Sequence, residues 1–214
     1  MPRDSVYVIV EGHGEADPPG IGGDPAAKIL VARLLQHVQC WHLHVAKRTP
    51  YRLRSCGDFY PRTDNLVRVL RAHSQYEDCA AVVVLFDLDD GCPAVIGPAV
   101  ARRIRGEGPW PFPIAVVCAH REYESWFLAS LETIHVGRSY LDDPEALRDA
   151  KGWLSREFGY REVRDQATYT RRLGIEAAMR SRSFRRLIHA VEELVAAGDD
   201  GATPVSPADT TTAV

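Results

Sequence analysis

The stretch VVVLFDLDDG, from Val82 to Gly91, is an apolar run that ends abruptly in three carboxylates. A run of valine, leucine and phenylalanine bounded by turn residues predicts a buried strand of a parallel sheet. Ligand sites of such sheets lie just beyond the carboxyl ends of the strands. Asp87 and Asp89 alternate, so on an extended strand end their side chains would share one side. These features predict a site for a divalent cation, although solvated acids capping the next helix are the simpler interpretation.

The first predicted strand also ends in a carboxylate. SVYVIV, from Ser5 to Val10, runs directly into Glu11 and a turn that contains two glycines. If this strand neighbours the one before Asp87, then Glu11, Asp87 and Asp89 meet at one edge of the sheet. Close like charges are unfavourable without a cation or a shared proton, so we predict a joint metal site.

The order of the predicted elements is that of an open, mostly parallel α/β sheet with helices on both faces. Strands are expected at 5–10, 41–46, 80–86 and 114–118, and helices at about 25–38, after Thr63, and at about 93–105. Further helices are expected at 122–131, 144–158, 166–179 and 183–197. We therefore predict an α/β domain over 1–130, a helical extension of the same compact unit over 131–197, and a disordered tail over 198–214.

The composition is that of a soluble globular protein. The chain has 214 residues with a net charge of −3, of which 45% are hydrophobic and 26% charged. No run approaches the roughly 18 apolar residues that span a bilayer, and the N-terminus does not resemble a signal peptide. The five cysteines are odd in number and never spaced CxxC, which argues against a disulfide framework or a zinc site. A cytoplasmic protein without membrane contact is expected.

Basic residues are concentrated in two segments that could face phosphate backbones. Lys47 to Arg71 holds seven basic and two acidic residues, and Arg161 to Arg186 holds eight basic and three acidic ones. A solvated helix face is the alternative for either segment. The chain has only three lysines among 26 basic residues, so Lys151 is a candidate for a role that needs a compact charge. The candidate nucleic-acid contacts are Arg171, Arg172, Arg180, Arg182, Arg185 and Arg186.

Other motifs in the chain are weaker. Gly12 and Gly14 lack the third glycine of a dinucleotide fingerprint, and no P-loop or nucleophile-elbow sequence occurs. The histidines do not have zinc-site spacing. The DxDG at 87–91 resembles that of haloacid-dehalogenase-type phosphatases, but it follows the third predicted strand instead of the first. Glu122 and Glu124 suit the first turn of a helix, yet they too follow a strand end, which makes Glu124 a candidate metal ligand.

Several motifs together resemble a known family. Val10-Glu11-Gly12 with Glu15, and Asp87-x-Asp89, are similar to the two acidic motifs of Toprim domains. REYESWFLAS, at 121–130, resembles the hallmark helix of a bacterial branch, the domain of unknown function 4276 (DUF4276) family. The C-terminal pattern is also similar to that branch, over about 5–195 of the chain. Its matching residues are Lys151, Tyr169, Ser181, Ser183 and Phe184.

The resemblance implies a function. Toprim domains use their glutamate and paired aspartates around Mg²⁺ for phosphoryl transfer. Carried over, Glu11 would be a general acid/base or a metal ligand, and Asp87 and Asp89 would be metal ligands. The chain lacks the tyrosine context of a topoisomerase and the length of a primase, which leaves nuclease-like chemistry. The branch is often encoded beside an AAA-type ATPase in mobile-defence contexts, which implies a possible protein partner.

The sequence therefore predicts Mg²⁺- or Mn²⁺-dependent hydrolysis of a nucleic-acid phosphodiester, with DNA and RNA both open as substrates. The alternative is a non-catalytic, Toprim-shaped partner or regulatory module of an ATPase. Retention of the three core acids favours the enzyme. The predicted catalytic residues are Glu11, Asp87, Asp89 and Lys151. The predicted metal ligands are Glu11, Asp87, Asp89 and Glu124.

Overall fold

The protein is described by a computed structural model that covers residues 3–18, 23–53 and 55–208. In this part of the chain, six strands form one sheet in which every pairing is parallel. The strands are β1 (Ser5–Val10), β2 (His44–Val45), β3 (Tyr51–Arg52), β4 (Cys79–Asp87), β5 (Ile114–Ala119) and β6 (Val205–Ser206). Their order is β2-β1-β4-β5-β6, and β3 also pairs with β1. The predicted parallel α/β sheet is confirmed.

Ten α-helices accompany the sheet in the described residues. They are α1 (His13–Ala16), α2 (Ala26–His37), α3 (Asp64–His73), α4 (Pro93–Gly106), α5 (Ser125–Ala129), α6 (Leu131–Ile134), α7 (Ala150–Phe158), α8 (Glu162–Arg172), α9 (Ile175–Ala178) and α10 (Arg182–Asp199). None of these helices combines the length and the apolar character needed to cross a bilayer.

Alternate side chains of the central strands enter two separate apolar layers, as the period of two in a strand requires. Val6, Val8 and Val10 of β1 belong to the layer that contains α2, α5, α8 and α10. Tyr7 and Ile9 of the same strand belong to the layer that contains α3 and α4. Helices therefore cover both faces of the sheet, as the sequence predicts.

The C-terminal helices contribute to the core of the sheet. Phe184, Leu187 and Val191 of α10 lie in the same apolar layer as β1, β4 and β5. Trp126 and Phe127 of α5, expected to be packing residues, are fully buried in that layer. The helices after residue 130 are thus held on one face of the sheet by a shared core.

The C-terminal helices differ from the predicted ones at their ends. Helix α7 begins at Ala150 instead of Pro144, because the Asp149 side chain accepts a hydrogen bond from the Gly152 amide at 2.8 Å and caps the helix. The helix expected over 166–179 is interrupted before Gly174, whose amide donates to Thr133 Oγ1 at 2.8 Å. Both differences arise from side-chain contacts to the backbone that periodicity does not encode.

The segment after residue 198 is not disordered up to residue 208, so that part of the tail prediction is wrong. Helix α10 runs to Asp199, and β6 pairs with Ile114 and Ala115 of β5. Arg105 of α4 donates to the carbonyls of Val205, at 2.6 Å, and of Pro207. The tail lacks apolar periodicity, so its order comes from contacts with distant elements. Residues 209–214, also assigned to the tail, lie outside the described residues.

Candidate functional site

Neighbouring strands bring the predicted acids to one edge of the sheet. β1 and β4 pair in parallel, with Val10 beside Leu85, so Glu11 and Asp87 both leave the carboxyl edge. Adjacent strands lie about 4.8 Å apart, which places these two residues close together. The joint edge predicted for Glu11 and Asp87 is therefore present in the structure.

Asp87 is the centre of a cluster of carboxylates. It is the last residue of β4, and its Oδ1 accepts a hydrogen bond from the Tyr123 amide at 3.0 Å. Burial raises the pKa of Asp87 well above its usual value, and the negative charges of Glu15, Glu124 and Glu11 raise it further. These four carboxyl groups, supplied by three separate parts of the chain, form what we call the acidic cluster.

Asp89 does not join Asp87 in this arrangement. The strand ends at Asp87, so the alternation that predicted a shared side does not continue to Asp89. Asp89 is exposed and lies in the left-handed region, with φ of 45°. Its negative charge contributes to the raised pKa of Glu122, after the larger effect of that residue's burial. Asp89 therefore lies at the exposed rim of the site, within electrostatic range of Glu122.

Two strained residues face each other at this edge. Asp89 and Arg121 both have positive φ, 45° and 70°, a conformation that few residues other than glycine adopt. The Asp89 amide donates to the Arg121 carbonyl at 3.0 Å, and the Arg121 guanidinium donates to the Asp89 carbonyl at 3.1 Å. Such conformations persist only where surrounding contacts hold them, and they are concentrated at functional sites.

A buried amide bridges two carboxyl groups of the acidic cluster. Gln166 of α8 donates from Nε2 to Glu15 Oε1 at 3.2 Å and to Glu124 Oε1 at 3.4 Å. Tyr160 adds a second donor to Glu124 Oε1, at 2.7 Å. Glu15, Glu124 and Gln166 are all at most 5% exposed. Within the described residues, Glu15 Oε2 and Gln166 Oε1 are buried without a hydrogen-bond partner, and such groups are costly to leave unsatisfied.

Two glycines make room for this bridge. A β-carbon on Gly12 would lie 1.9 Å from Glu15 Oε2, and one on Gly14 would lie 2.0 Å from Gln166 Oε1. Glycine at these two positions therefore allows the Glu15 and Gln166 side chains to approach the backbone closely. This explains the two glycines without a nucleotide-binding role.

Burial determines the protonation of the bridged acids. It raises the pKa of Glu15 to about 7, although the hydrogen bond from Gln166 opposes the shift. Burial likewise raises the pKa of Glu124 to about 8, while the charge of Lys151 lowers it and that of Glu15 raises it. The cluster can therefore exchange protons near neutral pH, as acid-base groups in enzymes do.

Lys151 supplies a positive charge at the edge of the cluster. Its ammonium donates to Glu162 Oε2 at 2.8 Å, and its backbone amide donates to Glu122 Oε2 at 2.9 Å. Burial alone would lower the pKa of Lys151, but the charges of Glu124 and Glu162 outweigh it and raise the pKa. Lys151 thus remains charged and partly neutralises the acids.

No three His, Cys, Asp or Glu side chains of the described residues converge tightly enough to form a metal-ion group by themselves.

The candidate arginines separate into three groups. Arg182 and Arg186 line a cavity at the carboxyl edges of β4 and β5. Arg180 and Arg185 donate to backbone carbonyls, including that of Ala129 at 3.0 Å for Arg180 and that of Met179 for Arg185. Arg171 and Arg172 are exposed near the end of α8. That end is about 15 Å along the helix axis from Glu162, which pairs with Lys151.

The C-terminal motif residues pack around α5. Trp126 Nε1 donates to Ser183 Oγ at 2.8 Å, and the Trp126 and Phe184 rings meet edge to face. Tyr169 packs against Phe127 in the same way. The residues that resembled a family signature are therefore those that fix α8 and α10 against the helix after β5.

Sequence reasoning missed three residues of the site. Gln166 and Tyr160 contact the acidic cluster, and Glu162 contacts Lys151, from a part of the chain more than 140 residues after Glu11. Only Gln166 lies in a helix predicted from the sequence, and none of the three was predicted to belong to the site. A buried amide or hydroxyl partner has no linear motif, so only the fold could reveal these contacts. The one sequence signal was the pair of glycines near Glu15.

Comparison with known proteins identifies the family. The family model described as domain of unknown function (DUF4276) matches residues 20–192, which is most of the chain. The chain belongs to this family, as its motifs predicted. No curated protein and no solved structure matches it in the corresponding searches.

Proposed function

We propose that the protein hydrolyses a phosphodiester bond of nucleic acid with the help of Mg²⁺ or Mn²⁺. The observation that carries this proposal is that Glu11, Glu15 and Glu124 all lie within electrostatic range of Asp87 at the carboxyl edge of the sheet. Their mutual repulsion raises the pKa of Asp87, after the larger effect of burial, so a cation there would be favoured. The resemblance of the acidic motifs to those of Toprim domains supports the same chemistry.

The donor atoms of the cluster suit a hard divalent cation. Carboxylate oxygens are the ligands that Mg²⁺ prefers in proteins, and Glu15 Oε2 is a buried oxygen without a hydrogen-bond partner in the described residues. A cation held there would polarise a phosphoryl oxygen of the substrate and lower the pKa of a bound water. Asp87, Glu11 and Glu124 are the ligands we propose, with Glu15 as an addition to the set predicted from the sequence.

The remaining residues have distinct proposed roles. Lys151 stays charged beside the acids, and its ammonium can orient an incoming phosphate or neutralise the leaving group. Gln166 and Tyr160 hold Glu124 in place through hydrogen bonds to Oε1. Asp89 is exposed after the end of β4, and we propose that it contacts the hydrated cation or the substrate from there.

A second function is favoured by a different observation. The ammonium of Lys151 already offsets the charge of Glu124 and Glu162, so the acids could form a purely structural network. The domain would then be a non-catalytic partner of an AAA-type ATPase, the partner that the family resemblance implies.

A nuclease assay separates the two functions. The protein is incubated with plasmid, single-stranded DNA and RNA in Mg²⁺, Mn²⁺ or EDTA, together with Asp87→Asn. We expect cleavage with either cation, none in EDTA, and a loss of at least 100-fold in the variant. Asp78→Asn is the matched control, since Asp78 precedes β4 at its opposite end, about 30 Å away, and asparagine can still accept from Tyr7. Equal cleavage by Asp87→Asn and wild type would rule out the proposed site.

A further inference from the structure

A second candidate site lies on the same edge of the sheet as the acidic cluster. A cavity of about 230 Å³ is bordered by the loop after β4, by His120 after β5, and by the first turns of α10. Since each bulk water occupies about 30 Å³, the cavity has room for a phosphate group with a few waters. We call it the α10 cavity.

Two arginines of the α10 cavity have no acidic partner. Arg182 and Arg186 both line it, and within the described residues neither makes a side-chain hydrogen bond or an ion pair. Their spacing of four residues places both side chains on one face of the helix, where they can approach one anion together. Arginine forks bind phosphate oxygens in a planar, bidentate geometry, so the pair suits a phosphate group.

The acids of the cavity have partners other than Arg182 and Arg186. Glu145 accepts hydrogen bonds from Ser181 Oγ at 2.6 Å and from the Ser183 amide at 2.7 Å, and His120 lies 3.7 Å from its other oxygen. Asp90 is paired with Arg148 at 2.8 Å and with Arg121. Asp90 is therefore compensated by two other arginines, while Glu145 keeps one negative charge, so Arg182 and Arg186 leave the cavity with an excess of positive charge.

The α10 cavity is adjacent to the acidic cluster. The thiol of Cys118, in β5, is within electrostatic range of both Arg186 and Asp87, which act on it with opposite sign after the larger effect of its burial. Cys118 pairs with Phe86, the residue before Asp87. His120, which borders the cavity, directly follows Ala119, the residue that pairs with Asp87, so the cavity and the acidic cluster lie at neighbouring strand ends of one sheet edge.

We propose that Arg182 and Arg186 together bind a single internal phosphate of the nucleic-acid strand, next to the phosphate that lies at the acidic cluster. This inference rests on the proposed function for the identity of its ligand. It also reassigns the basic C-terminal segment, because Arg171, Arg172 and Arg185 have no part in this contact.

Binding in EDTA tests the proposal without any cleavage. The probes are inorganic phosphate, followed by ³¹P NMR, and a single-stranded DNA 12-mer with hydroxyl groups at both ends, followed by fluorescence anisotropy. Arg182→Gln, Arg186→Gln and the double variant are compared with the double variant Arg171→Gln/Arg172→Gln, which removes the same charge from an exposed site on α8. Melting temperatures confirm that each variant is folded.

The expected result is at least a tenfold loss of affinity for both probes in the double α10 variant, and less than a twofold change in the α8 control. The salt slope should also report the number of phosphates. Each neutralised phosphate of single-stranded DNA contributes about −0.7 to the slope. Two arginines on one phosphate should therefore leave the slope nearly unchanged in either single variant, where the other arginine still holds that phosphate, and flatten it by about 0.7 in the double variant. A further loss in the double variant, to about 1.4, would show two separate phosphates and overturn the proposal.

Two other outcomes also overturn it. Equal losses in the α10 and α8 variants would show a nonspecific effect of charge. Binding of inorganic phosphate without binding of the 12-mer would show a site for free phosphate groups. Failure of the proposed nuclease function is distinguishable, because the 12-mer would then bind through Arg182 and Arg186 while no cation supports cleavage.

Discussion

Two buried glutamates, only some 20 residues apart in the sequence, have opposite electrostatic environments. Glu145 is 8% exposed and Glu124 is 1% exposed, and burial alone raises the pKa of both. Hydrogen bonds from Ser181 and Ser183 nevertheless bring the pKa of Glu145 below its usual value. Glu124 lies near Glu15 and Glu162, and its pKa remains raised, at about 8.

The comparison teaches that burial does not by itself mark a functional acid. Glu145 receives enough donors to remain ionised, and it stabilises the start of α10 as an anion near a helix N-terminus does. Glu124 accepts two hydrogen bonds on one oxygen and lies near other acids, so its protonated form is favoured. A bound cation would favour the carboxylate instead. The first arrangement supports the fold, and the second is suited to chemistry.

The largest expected effect concerns Glu145. Removing its carboxylate in Glu145→Ala leaves Ser181 and the Ser183 amide without their acceptor, so the free energy of unfolding should fall by about 2–4 kcal/mol. Urea unfolding at pH 7 measures the change. Glu132→Ala, an exposed glutamate of α6, is the control and should change stability by less than about 0.5 kcal/mol. A loss below about 1 kcal/mol for Glu145→Ala would contradict the structural role.

The next effect is the pH dependence of stability. Folding raises the pKa of Glu15 to about 7 and of Glu124 to about 8, so the folded state binds more protons than the unfolded state between about pH 5 and 8. Their contribution therefore makes stability fall as pH rises through this window. In EDTA, Glu124→Gln should reduce the fall by roughly 1–3 kcal/mol, because the amide cannot titrate.

The opposite sign is expected for Glu145. Its lowered pKa gives stability that is present above the unfolded pKa and is lost as pH falls through the folded pKa. The free energy of unfolding, measured from pH 3 to 9 for wild type, Glu124→Gln and Glu145→Ala, shows both the loss of stability at low pH and the loss at higher pH. Identical slopes for wild type and Glu124→Gln above pH 5 would show that the acidic cluster is ionised throughout.

A smaller effect is expected from Mg²⁺. At ten times its dissociation constant, a cation that binds only the folded state adds about 1.4 kcal/mol of stability. The gain should be larger at pH 8 than at pH 6, since Glu15 and Glu124 must release protons to bind the ion. Melting temperatures in Mg²⁺ and in EDTA measure it, with Asp78→Asn as control. An undiminished gain in Asp87→Asn would place the cation elsewhere.

The smallest effect distinguishes two aspartates of one loop. In EDTA, Asp87→Asn should raise the free energy of unfolding by about 0.5–1 kcal/mol, because it removes like-charge repulsion while asparagine still accepts from Tyr123. Asp90→Asn should lower it by up to about 0.5 kcal/mol, because Asp90 pairs with Arg121 and Arg148 at the surface. Chemical unfolding of both variants gives the two signs, and a destabilised Asp87→Asn would show that the charge of Asp87 is structurally needed.

Much of the fold and part of the site could be predicted from the sequence. The apolar runs before Glu11 and Asp87 predicted two buried strands, and parallel pairing placed both acids at one edge. The same reasoning failed for Asp89, because alternation holds only while the chain is extended, and β4 ends at Asp87. The sequence predicted phosphate contacts for all the arginines of the C-terminal basic segment. In the structure, some of them donate hydrogen bonds to backbone carbonyls and others line a cavity.

What the sequence by itself determined is the pattern of local order: the period of two in the strands, the apolar stripes of the helices, and carboxylates at strand ends. Only the tertiary structure decided that Gln166 and Tyr160 meet Glu124, that Glu145 is satisfied by Ser181 and Ser183, and that Val205 joins the sheet. These contacts join residues far apart in the chain. Their free energy depends on burial and on the donors nearby, and neither quantity is a property of a local segment.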